Sequence, residues 1–171
     1  MEEKKDLKGL RGWLILVGIG IVFTPIRLIL TLTPAYKPMF EEGVWSAITT
    51  QGSASYVPHL GSIIIGEMSV NAIVFCLSIY LIYLFFKEHY RFPKLYIALL
   101  SFTLAFAVID AWLVSQLIPG APMFDSETQL DIMKSALTAA IWIPYLLYSK
   151  RVKATFVNAR PCDDQPVCLT K

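Results

Sequence analysis

Hydrophobic positions fall into four long runs, at about Trp13 to Leu32, Ser62 to Phe86, Leu95 to Ile118 and Leu130 to Tyr148, separated by polar, proline-bearing connections. Each run approaches the roughly 20 residues with which a helix crosses about 30 Å of hydrocarbon. In lipid the backbone must satisfy its own polar groups, and no barrel-type alternation is present, so the runs predict helices. The expected architecture is all-α, an integral membrane four-helix bundle. Its spans are placed over 13–33, 62–86, 95–118 and 130–149, with a long external loop over 34–61. A short lead over 1–12 precedes the membrane domain of 13–157, and 158–171 reads as a flexible tail.

Local signals refine the runs. Pro25 should kink the first helix by removing a backbone donor, and Pro34 should end it. Met39 to Ile48 suits a short interfacial helix, with Phe40 and Trp45 at headgroup level, and Gln51 to Ser55 reads as a turn. Pro93 starts the third span, and Pro119-Gly120-Ala121-Pro122 ends it. Ser126 with Gln129 resembles a capping box, and Asp125 and Glu127 suit the positive end of a helix dipole.

Composition agrees. Of 171 residues, 56% are hydrophobic and only 16% charged, too apolar for a soluble domain of this size. The basic residues are unevenly placed. Lys4, Lys5, Lys8 and Arg11 precede the first run, Lys87, Arg91 and Lys94 fill the second connection, and Lys150, Arg151, Lys153, Arg160 and Lys171 follow the fourth. The outer connections hold only Lys37. The positive-inside rule then predicts both termini in the cytoplasm. The first run is too long for a signal peptide and is interrupted by Arg27, so a retained helix is expected. A net charge of +2 gives no nucleic-acid signal. Cys76 is expected to pack inside the second helix, and Cys162 and Cys168 to be reduced tail thiols. His59 and His89 fall on opposite sides of the membrane, and no metal or other cofactor is implied.

Each run carries one conspicuous ionisable residue: Arg27, Glu67, Asp110 and Lys134. A charge at the centre of an isolated span costs about 2.5–3.5 kcal/mol on the insertion scale. At about 1.5 Å per residue, Arg27 and Asp110 lie about 21–22 Å above the inner boundary, and Glu67 and Lys134 about 6–8 Å below the outer one. All four therefore fall in one layer of the outer third. Polar and small neighbours (Thr24 and Thr31 beside Arg27, Asn71 beside Glu67, Thr138 beside Lys134) turn the charges toward the bundle interior. Guanidinium–carboxylate geometry favours Arg27 with Asp110 or Glu67. Two readings of Arg27, Glu67, Asn71, Asp110 and Lys134 stand side by side. The layer is either a set of charge pairs that fixes helix register, or a small-ligand or proton site with Glu67 as the carrier.

Further residues carry a resemblance. Gly12-Trp13-Leu14, Tyr56 and Pro58, Glu67 with Asn71, Leu84-Phe85-Phe86-Lys87, Phe92-Pro93-Lys94, Asp110, Pro144-Tyr145 and the run Ser149 to Phe156 make the chain resemble the YdgK-like bacterial inner-membrane proteins. That family is classed as a domain of unknown function. The resemblance covers about Gly12 to Val157 and implies a four-helix inner-membrane protein with no assigned activity.

An enzyme is not expected, because no nucleophile–base pair, metal cluster or phosphate loop is present. The expected role is a structural or accessory membrane subunit embedded in the lipid bilayer, with a membrane-protein partner or a homodimer as its assembly. The alternative is a small-ligand- or proton-coupled transporter or binding protein, which would need a polar path below the layer.

Overall fold

A computed structural model describes residues 9–41, 43–117 and 126–158. The lead residues Met1 to Lys8, the Pro119–Pro122 segment, Asp125, Cys162 and Cys168 lie outside the described residues. Helix α1 is Trp13–Glu41, α2 Val44–Thr49, α3 Leu60–Phe86, α4 Phe92–Leu117, α5 Ser126–Tyr148 and α6 Lys150–Thr155. No strand occurs among the described residues; one isolated bridge joins His89 and Asn158.

Four of these helices, α1, α3, α4 and Thr128–Tyr148 of α5, are long and apolar enough to span a membrane. Only 11–28% of each spanning window is buried, so the apolar side chains face outward. Ile19, Phe23 and Leu30 of α1 and Met133 and Leu137 of α5 are all at least half exposed. Water would not tolerate that much apolar surface, whereas lipid is its natural cover.

Helix α1 runs 29 residues, through Pro34 and Pro38, where the sequence predicts an end before Pro34. Each proline forfeits a single backbone hydrogen bond, and an exposed end lets water or headgroups take up the freed carbonyls. The segment assigned to the outer loop therefore extends α1 by two turns and carries Tyr36 to the flank of α3. Helix α2 is correspondingly short and begins after Gly43, whose left-handed φ of 71° favours glycine. It lies directly on the start of α3: a Cβ at Gly61 would stand 2.8 Å from Thr49 Cγ2.

α1 packs on α3, α3 on α4 and α4 on α5, with α2 bridging α1 and α3. The core gathers at the end where α1 begins and α5 finishes. Leu14, Val17 and Ile21 of α1, Leu81, Leu84 and Phe85 of α3, and Phe92, Tyr96 and Leu99 of α4 are buried there. Phe156, just past α6, stacks on Phe92 at 4.6 Å and tilts against Phe85 at 5.9 Å. Gly18 permits the α1–α3 approach, since a Cβ there would meet Phe85 Cε1 at 2.8 Å.

Hydrogen bonds finish this end. The Gly9 N–H donates to Thr155 Oγ1 at 3.1 Å. Asn158 Nδ2 donates to the Lys87 carbonyl at 2.9 Å, and the Asn158 backbone pairs with Glu88 and Tyr90. Ser149 breaks α5 from α6 and caps the latter, its Oγ accepting from the Val152 N–H at 3.4 Å. The exposed bases Arg11, Lys87, Arg91, Lys94, Lys150 and Lys153 surround it, so it is called the basic end below.

Candidate functional site

The conspicuous ionisable residues sit in the opposite half of the bundle, called the far end. They divide into two groups. In the first, Arg27 Nη2 of α1 and Lys134 Nζ of α5 share Asp131 Oδ1, at 3.8 Å and 3.0 Å. Asp131 and Lys134 are one turn apart on α5, so the helix presets that pair. The Arg27 contact spans from α1 to α5. All three side chains are more than half exposed, at 68% for Arg27, 53% for Asp131 and 61% for Lys134.

In the second group, Glu67 and Asn71 are one turn apart on α3 and both half-buried. Asn71 Nδ2 donates to Tyr36 Oη of α1 at 3.5 Å. The Glu67 carboxyl lies beside the same Tyr36 hydroxyl, and Asp110 of α4 stands near enough for its charge to act on both. Among the described residues, neither Glu67 nor Asp110 forms an ion pair.

This corrects two expectations. Arg27 pairs with Asp131, not with Asp110 or Glu67. The reason is angular: Tyr36 follows Arg27 by nine residues, about two and a half turns, so the two occupy opposite flanks of α1. Tyr36 turns to α3 and its acid, and Arg27 turns to α5. Nor do all the charges point into a sealed interior. Glu67, Asn71 and Asp110 are half-buried, but Arg27 and Lys134 are exposed because the bundle is packed tightly only at its basic end.

Two participants escaped sequence reasoning. Asp131 lies one residue inside the fourth run and went unmarked there beside Lys134. Its signal was the i,i+3 spacing to Lys134. Tyr36 reads as a loop residue once Pro34 is taken as a helix stop. Cys76, expected to pack, is exposed.

Beside the Tyr36–Asn71 contact, an open groove of about 580 Å³ runs between the far halves of α1 and α3. Its walls are almost wholly apolar side chains, including Leu28 and Leu32 on one side and Met68 and Ala72 on the other.

Four apolar spanning helices with a split charged layer define a multi-pass membrane protein. The profile of the DUF2569 family, described as a protein of unknown function, matches residues 7–157, so the chain belongs to that family. No curated protein and no solved structure matches the chain.

Proposed function

We propose that this is an accessory subunit of the bacterial inner membrane, with both termini cytoplasmic, whose far-end charged layer is covered by a second membrane protein or a second copy of the chain. The basic residues gathered at one end support that orientation through the positive-inside rule, and the YdgK-like resemblance supports the compartment. One observation carries the role: Arg27, Asp131 and Lys134 are all more than half exposed on the flanks of spanning helices. An uncovered charge costs about 2.5–3.5 kcal/mol at the centre of a span and less toward its ends, and mutual pairing offsets only part of that. A polar partner surface over the triad removes the remainder. Affinity purification from native membranes tests this. The expected result is a stoichiometric partner, or a dimer, held by the natural chain and released by Asp131→Arg. A lone, monodisperse chain from native membranes overturns it.

A second reading rests on the other group. Glu67 and Asp110 lie in one electrostatic neighbourhood without a basic partner among the described residues, beside Tyr36 and Asn71. That arrangement suits a proton or small cationic ligand. In this reading Glu67→Gln abolishes pH-dependent flux or binding; an unchanged pH profile removes it.

A further inference from the structure

We infer that the groove between the far halves of α1 and α3 is a binding site for one acyl chain of an anionic phospholipid, with Lys37 at its mouth taking the phosphate. The inference depends on the chain spanning a bilayer and is independent of the accessory role.

The groove extends from Leu28 to Phe40 on α1, about 18 Å at 1.5 Å per residue. A volume of about 580 Å³ over that length corresponds to a section of roughly 30 Å². A helix 10–12 Å across is far thicker than that and could lodge only a ridge of its side chains there. A single extended hydrocarbon chain is the slimmer occupant, and the bilayer supplies it at solvent concentration. The polar groups of Tyr36 and Asn71 are turned to each other at 3.5 Å, which leaves little on the walls for a polar ligand.

Charge selects the headgroup. Lys37 lines the mouth on the last turns of α1. Its Nζ is 3.9 Å from Glu41 Oε1 in a contact that leaves both side chains more than 60% exposed. Such a surface pair is weak, so the ammonium is free to take a phosphate oxygen without giving up much. Phe40, at the same mouth, meets Trp45 at 5.5 Å, an aromatic pair of the kind that favours the polar boundary of a bilayer.

The whole chain, purified and placed in nanodiscs of mixed phosphatidylglycerol and phosphatidylcholine, tests this by native mass spectrometry. One phosphatidylglycerol should be retained per chain. Ala72→Phe, which fills the groove, should lower retention at least fivefold, while Ile73→Phe on the neighbouring exposed face should not. Lys37→Gln should bring the preference for phosphatidylglycerol below twofold. Equal retention in the natural chain and Ala72→Phe means annular lipid only and overturns the proposal. A second reading needs no variant. Cys76 lines the groove, so adding phosphatidylglycerol to delipidated protein should slow its alkylation by N-ethylmaleimide at least threefold, read by peptide mass. Protection of Cys76 in native membranes but not by added lipid assigns the groove to a protein and also overturns the proposal.

Discussion

At the basic end, Phe85, Phe92 and Phe156 are at most 3% exposed and pack ring against ring; at the far end, Arg27, Asp131 and Lys134 are each more than 50% exposed and meet only through solvent-open ion pairs of 3.8 and 3.0 Å. The same four spans form both ends. What differs is the source of cohesion. In lipid, helix association has no hydrophobic driving force and depends on close packing and interhelical hydrogen bonds. The basic end supplies both, through Gly18 against Phe85 and through Gly9, Thr155 and Asn158. The far end supplies neither in comparable measure, and its charged groups are held loosely on separate helix flanks. The fold therefore resides at one end, and the surface open to partners or ligands at the other.

Substitutions at the two ends should separate accordingly. Phe92→Ala should produce the largest loss, about 3–5 kcal/mol, because Phe92 is fully buried among rings of α3, α4 and the post-α6 segment. Reversible unfolding in bicelles measures it, and a loss below about 1 kcal/mol would break the claim that this end holds the fold. Gly18→Val comes next, at about 1–3 kcal/mol, since Phe85 is hemmed in by Phe92 and Phe156 and cannot swing away from the added methyls. Asn158→Ala should cost about 1 kcal/mol by removing the side-chain bond to the Lys87 carbonyl. Its clearer mark is faster amide hydrogen exchange at Tyr90, whose N–H donates to Asn158 at 3.1 Å. Asp131→Asn should change unfolding by no more than about 1 kcal/mol, as expected of an exposed pair. A loss as large as that of Phe92→Ala would erase the contrast and make the charged layer a structural keystone.

The spans were legible in the sequence because hydropathy and length report directly on the cost of leaving polar backbone in hydrocarbon. The place of each charge along its span can be counted in residues from the run's ends. Their partners did not follow. Depth is a one-dimensional property, while pairing depends on the angle around each helix and on which helices adjoin. Arg27 and Tyr36 show the difference, lying on one helix with opposite neighbours. The course of α1 past Pro34 was hidden for another reason. A proline is costly inside a helix but not prohibitive where its lost bond faces a polar medium, and no local signal tells the two settings apart. The bridge between His89 and Asn158 joins segments so distant in the chain that neither carries a pattern pointing to the other.

The bonds that finish the basic end also impose an order in time. Lys87 and Asn158 are 71 residues apart, and Gly9 and Thr155 are 146 apart. At about 5–20 residues per second of translation, the first of these intervals lasts about 4–14 s and the second about 7–29 s. Throughout, the carbonyls of Lys87 and Glu88 and the ring of Phe92 await partners that the ribosome has not yet made. The first three spans must therefore enter the membrane as an unfinished set. Closure falls to the segment after α5, which makes this short stretch the step at which a nascent chain commits to its native form.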